Sequence, residues 1–107
     1  MTKFVDIAHV EPFEPGCATS AAVAGSSVAV FNVDGKLYAT DDVCIRCGSS
    51  LAKGKLQGPV VTCGTCHWRY HVVTGHVNDL PGMHVDRFEV KMVDGHIVLC
   101  LSPLPNS

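Results

Sequence analysis

Cys44-Ile45-Arg46-Cys47 and Cys63-Gly64-Thr65-Cys66 are two Cys-x-x-Cys steps with 15 residues between them. The two-residue gap lets both sulfurs of one turn converge on a point while backbone amides turn inward to hydrogen-bond them. Two such turns make a tetrahedral four-sulfur site, which suits zinc or iron. The spacing also falls within the Cys-x₂-Cys-x₁₅₋₂₀-Cys-x₂-Cys range of metal sites. Cys44, Cys47, Cys63 and Cys66 are therefore the candidate ligands of one metal centre. The other two cysteines, Cys17 and Cys100, stand alone in apolar stretches and read as small buried hydrophobes.

Other chemistry finds little footing. The sequence has six histidines. His67 follows Cys66 directly and is the one placed to touch the site, as a hydrogen-bond donor to sulfur or in place of a thiolate. His71 falls on an expected strand and reads as structural. His9, His76, His84 and His96 sit in strand or turn contexts without paired ligand spacing. No Ser-His-Asp set, phosphate-binding glycine loop or paired carboxylate occurs. The net charge of −2 gives no general attraction to nucleic acid or anionic membrane, and Lys53 with Lys55 is too small a basic cluster to track phosphates. No stretch reaches membrane-spanning length and no signal peptide is evident, so the expected location is the cytoplasm. Thiols stay reduced there, which favours metal ligation over a disulfide framework.

The elements that must position these cysteines are strands. The 107 residues fit one compact domain, 1–107. Phe4–Ile7, Cys17–Ala24, Ser27–Val33, Lys36–Ala39, Phe88–Val93 and His96–Leu99 read as strands. Hairpin turns are expected at Gly25-Ser26, Asp34-Gly35 and Asp94-Gly95. Phe88, Val90 and Met92 alternate as one buried face. Between these ends, residues from about 41 to 83 are glycine-rich, hold all four clustered cysteines and offer short strands at Pro59–Thr62 and Trp68–Val73. This region shows little apolar pattern of its own, so the outer sheet is expected to carry the core. Ser102–Ser107 reads as a tail. The fold class is all-β, a sandwich or barrel with an inserted, loop-built metal-binding subdomain at about 41–83.

The residues around the cysteines resemble a family. Asp42-Val43-Cys44-Ile45-Arg46-Cys47-Gly48-Ser49-Ser50-Leu51-Ala52-Lys53-Gly54 and Val61-Thr62-Cys63-Gly64-Thr65-Cys66-His67-Trp68-Arg69-Tyr70, followed by Thr74-Gly75, are similar to the cluster-binding loops of Rieske-type ferredoxins. Leu80-Pro81-Gly82 matches that family's proline-containing third loop, and the likeness runs over nearly the whole chain. It implies a Rieske-like β-sandwich and the role of an electron carrier. Such a carrier passes single electrons from a reductase to a terminal oxygenase and is not itself an enzyme.

The departure lies in the ligands. Cys44 and Cys63 occupy the family's two cysteine positions. Arg46 stands at the first histidine position with Cys47 one residue later. Cys66 stands at the second, with His67 where glycine is usual. A Rieske centre takes two histidines on one iron, whereas this chain offers two rubredoxin-like or zinc-ribbon-like knuckles. The tight knuckle favours a single iron or zinc; the framework favours a [2Fe–2S] cluster held by four thiolates. A rival role is a structural or regulatory subunit with a Cys₄ zinc site, since zinc there has no redox chemistry. Arg46 is expected to point outward beside the site, either as a solvated loop residue or as a positive charge facing an anionic centre or an acidic partner; Trp68 anchors the second loop, and Ile45, Leu80, Pro81 and Met83 would form an apolar rim.

Overall fold

The computed structural model describes residues 4–9, 16–23, 26–78, 80, 82–93 and 96–103. Its strands in chain order are β1 (Phe4–His9), β2 (Ala18–Val23), β3 (Ser26–Val33), β4 (Lys36–Asp41), β5 (Lys55–Gln57), β6 (Val60–Thr62), β7 (Arg69–His71), β8 (Arg87–Val93) and β9 (His96–Pro103), with one 3₁₀ turn at Leu51–Lys53. Six of them form an antiparallel sheet in the order β1-β9-β8-β4-β3-β2, and its two edge strands approach each other so that the sheet curls toward a barrel. The chain leaves this sheet after Asp41, builds the smaller antiparallel sheet β5-β6-β7, and rejoins at Arg87. The all-β class and the sandwich-like layering follow the expectation.

β3 explains the layering. Its side chains alternate across the sheet. Val28 and Val30 pack inside the curl with Ala39, Ile97 and Leu99, while Ala29 and Phe31 point to the other side. There they meet Cys44, Leu51, Val61, Cys63, Tyr70, Val72, Val77 and Val85. The region 41–83 thus supplies most of a second core, contrary to the reading that it has little. Its apolar residues are spaced by turns rather than by a strand period, and only the fold brings them together. Burying each such side chain is worth roughly 1.5–3 kcal/mol, so this core is shared energetically between β3 and the cysteine loops.

Other differences are local. Cys17 is exposed rather than buried, lying just before β2, whereas Cys100 is buried as expected. Ser102 and Pro103 belong to β9, which pairs Pro103 with Phe88, so the tail cannot begin at Ser102. The expected strand at Trp68–Val73 is confined to Arg69–His71, because Thr74 and Gly75 N–H both fold back onto the His71 carbonyl. β5 and the 3₁₀ turn escaped the sequence reading. Asp34 and Gly35 have φ of 53° and 92°, the paired positive values of the expected two-residue hairpin turn, and Asn32 Oδ1 accepts the Gly35 N–H at 2.8 Å. Gly25, Pro81 and the Asp94-Gly95 turn lie outside the described residues, although Val93 pairs with His96 across the latter. No helix among the described residues is long and apolar enough to cross a membrane.

Candidate metal centre

The two cysteine turns are copies of one backbone design. Gly48 N–H donates to the Cys44 carbonyl (2.9 Å) and Cys44 N–H to the Ser49 carbonyl (2.9 Å). In the second, His67 N–H donates to the Cys63 carbonyl (3.1 Å) and Cys63 N–H to the Trp68 carbonyl (2.8 Å). The residue after each second cysteine must take a left-handed conformation, with φ of 80° at Gly48 and 66° at His67. Glycine accepts this freely; histidine accepts it at a cost of about 1–2 kcal/mol. A hydrogen bond between Ser49 Oγ and Thr65 Oγ1 (2.8 Å) ties the turns together.

This arrangement brings the four predicted cysteines together. Their Sγ atoms all lie within 4.8 Å of one another, with Cys44 to Cys66 at 3.6 Å and Cys47 to Cys63 at 3.5 Å. Cys44 and Cys63 are buried in the second core, Cys66 is half-buried and Cys47 is exposed. His67 is exposed and stands outside this group. Arg46 lies over the Trp68 ring at 5.3 Å, a cation–π contact across the two turns. Trp68 is half-buried against the core beneath it. Val43, Ile45, Leu80 and Met83 are exposed apolar residues on the cysteine-bearing region, of which Val43 was not anticipated.

Two supporting residues carry roles that the sequence did not reveal. The Tyr70 ring is fully buried, and its hydroxyl accepts the Ile45 N–H (3.1 Å), leaving its own proton to donate to Cys44 Sγ at 3.2 Å. Burial, then the neighbouring Cys44 sulfur, raise the Tyr70 pKa, so the hydroxyl remains a donor. Asp42 is buried, and its carboxylate accepts hydrogen bonds from Ser27 Oγ (2.9 Å), Ser50 Oγ (2.8 Å) and Ala52 N–H (2.9 Å). It pins the first cysteine turn to β3 on one side and to the 3₁₀ turn on the other. Gly54 completes the support, since any Cβ there would collide with the Thr62 carbonyl on β6. An acid two residues before Cys44 and a tyrosine four after Cys66 were the available signals, but neither names its partner.

The thiols are unequal. The Ser49 hydroxyl, followed by the Ser49 backbone N–H, pulls Cys47 down to about 6. Burial opposes ionisation at Cys44, yet the Tyr70 hydroxyl and the N–H groups of Cys47 and Arg46 lower it on balance. The Trp68 N–H favours the Cys66 thiolate, but burial and the crowding of the other three sulfurs push it up to about 12. Without a cation, four negative sulfurs this close cannot coexist; a metal ion removes that repulsion and takes all four as thiolates. A soft four-sulfur donor set therefore fits iron or zinc. No histidine among the described residues joins this group, whereas a Rieske cluster takes two cysteines and two histidines.

Comparison with known proteins agrees with the framework. The biphenyl dioxygenase ferredoxin subunit of Pseudomonas sp. (strain KKS102) is 37% identical over 97 residues, covering 90% of this chain and 89% of the relative. The ferredoxin component of the naphthalene 1,2-dioxygenase system of Pseudomonas aeruginosa is 26% identical over 101 residues, 94% of this chain and 97% of the relative. Among solved structures, a chain from the complex of reduced oxygenase and oxidized ferredoxin in carbazole 1,9a-dioxygenase superposes with a TM-score of 0.86 at 25% identity, covering 96% of this chain and 97% of its own. Residues 3–99 match the family model described as the Rieske [2Fe-2S] domain, and with both cysteine turns and nearly every strand inside that match, the chain belongs to this family.

Proposed function

We propose that this chain is an electron carrier, the ferredoxin component of an oxygenase system, and that Cys44, Cys47, Cys63 and Cys66 hold a single iron. The observation that carries the metal count is the span of the four sulfurs. Around one ion with metal–sulfur bonds of about 2.3 Å, tetrahedral geometry sets sulfur–sulfur edges of about 3.8 Å. In a binuclear cluster built from two edge-sharing tetrahedra of the same bond length, sulfurs on different irons would stand about 5.3–6.5 Å apart. All four sulfurs lie within 4.8 Å, and two pairs lie at 3.5 and 3.6 Å. This matches one ion.

The role comes from the relatives, which are ferredoxin components of dioxygenase systems. An iron bound by four thiolates supplies a one-electron ferric/ferrous couple. The residues of this chain would do the rest. Cys44 and Cys63 anchor the site in the core, Cys47 brings its edge to the surface, and exposed Val43 and Ile45 beside it give a partner apolar surface to cover. A reductase would deliver the electron and a terminal oxygenase would take it. Residues 41–83 act as the unit that holds the metal within a single domain.

The test is metal and sulfide analysis with a visible spectrum, on protein produced with adequate iron, followed by reduction with a ferredoxin reductase and reoxidation by a terminal oxygenase. One iron per chain without acid-labile sulfide, with turnover between the partners, is the expected result. Two irons with sulfide would overturn the single-ion reading alone. A colourless zinc protein would overturn electron transfer.

A further inference from the structure

His76 and His84 show no ligand spacing in sequence because they are paired across strands. They face each other at an antiparallel bridge. The bonds flanking the pair, Val77 N–H to the Met83 carbonyl and Val85 N–H to the Gly75 carbonyl (both 2.9 Å), make it a non-hydrogen-bonded pair. That register brings opposite side chains closest, with Cα atoms about 4.5 Å apart. The two imidazoles accordingly lie 5.9 Å apart between ring centroids, tilted by 59°. The next residue along each segment, Val77 and Val85, is buried toward the core. Alternation therefore turns both histidines outward, and His84 is exposed.

A third imidazole shares this face. Tyr70 pairs with Val77, both buried, and the neighbouring His71 N–H donates to the His76 carbonyl at 2.9 Å. His71 therefore stands opposite the core-facing Tyr70, on the side of His76. Its Nδ1 is buried and has no hydrogen-bond partner.

The ring separation can be compared with what a metal needs. With metal–nitrogen bonds of 2.0–2.1 Å and ring centres about 1.1 Å beyond the nitrogen, two imidazoles on a tetrahedral ion have centroids about 5.2 Å apart. The structure is about 0.7 Å wider than this, a difference that small side-chain rotations close. We propose that His76 and His84 form a second metal site, separate from the four-cysteine centre, for a divalent first-row ion that favours imidazole, of the zinc, nickel and copper group. Water fills the remaining positions. The pair brackets the segment carrying the exposed Leu80 and Met83, so an ion there clamps the base of that segment.

The test is calorimetric titration of Zn²⁺ at pH 7.5 into protein whose four-cysteine centre has been filled with zinc beforehand, so that no exchange can contribute. One further equivalent is expected. Its affinity should fall at least tenfold in His76→Gln and in His84→Gln, with melting temperature and four-cysteine zinc content unchanged. Absence of a second equivalent, or its survival in the double His76→Gln/His84→Gln variant, would overturn the proposal.

Discussion

Tyr70→Phe is the most informative single change at the centre. It removes one oxygen from a buried ring and leaves the packing of β7 intact. The hydroxyl has two jobs: it accepts the Ile45 N–H at 3.1 Å and donates to Cys44 Sγ at 3.2 Å. A hydrogen bond to a charged group is worth about 1.5–3 kcal/mol. The bond to sulfur strengthens when the centre is reduced, because the thiolates then carry more negative charge. If one third to one half of its worth is specific to the reduced state, the variant loses about 0.5–1.5 kcal/mol there. One tenfold change in equilibrium, about 1.4 kcal/mol, corresponds to about 59 mV for one electron, so the potential of the iron protein should fall by about 20–60 mV. Losing the acceptor for Ile45 N–H should also cost about 1–3 kcal/mol of stability. Protein-film voltammetry at pH 7 reads the first effect and denaturant unfolding the second. An unchanged or raised potential in a variant that keeps full iron would refute the donor role of Tyr70.

Three further outcomes follow from the same contacts. Asp42→Ala strands the Ser27 and Ser50 hydroxyls and the Ala52 N–H together, and should destabilise the metal-loaded protein by roughly 2–4 kcal/mol in denaturant unfolding; a loss near zero would show that water replaces the carboxylate. The pKa of Asp41 is raised, first by burial and then by the Asp86 carboxylate beside it. Its ionised form is thus disfavoured on folding: the penalty is absent below the unfolded value of about 3.9 and complete above the raised folded value. Asp41→Asn should therefore melt higher than the parent at pH 7, and the gap should close as the pH falls toward 3.5. A gap that widened in acid would reverse the assignment. His67→Gly relieves a left-handed histidine (φ 66°) and should be neutral or stabilising by up to about 1 kcal/mol, whereas Gly48→Ala at φ 80° should cost about 1–2 kcal/mol; equal effects at the two sites would deny that the turns share one geometry.

What the sequence disclosed tracks the distance over which each constraint acts. The cysteine turns were legible because both sulfurs and their backbone bonds lie within a few residues, and so was the Asp34-Gly35 turn. The clasp of Asp42 on Ser27 spans 15 residues, and Tyr70 reaches Cys44 across 26. Those partners are chosen by strand register, which composition and spacing do not fix. The His76–His84 pair was passed over for the same reason. Cys17 was misread because a cysteine in an apolar run is buried only if its phase in the strand points inward, and the chain becomes regular strand one residue later.

The distribution of burial also accounts for how one framework could accept a different set of ligands. The two positions that the resemblance assigns to cysteine throughout the family, Cys44 and Cys63, are 1% and 0% exposed and pack in one core with Phe31, Leu51 and Tyr70. Replacing either would open a cavity or strand a polar group inside that core, at a cost of several kcal/mol. The positions where this chain departs, Cys47 and Cys66, lie on the more open side of the site, Cys47 exposed and Cys66 half-buried. A donor can change there while the core stays packed, at the cost of remaking one turn. On the resemblance, the remade turn is the first, where Arg46 stands at the family's histidine position and Cys47 one residue later; in the second, His67 stands where glycine is usual and takes, at φ 66°, the left-handed geometry that Gly48 adopts freely. Donor identity is therefore weakly coupled to the fold at the outer pair and strongly coupled at the inner pair.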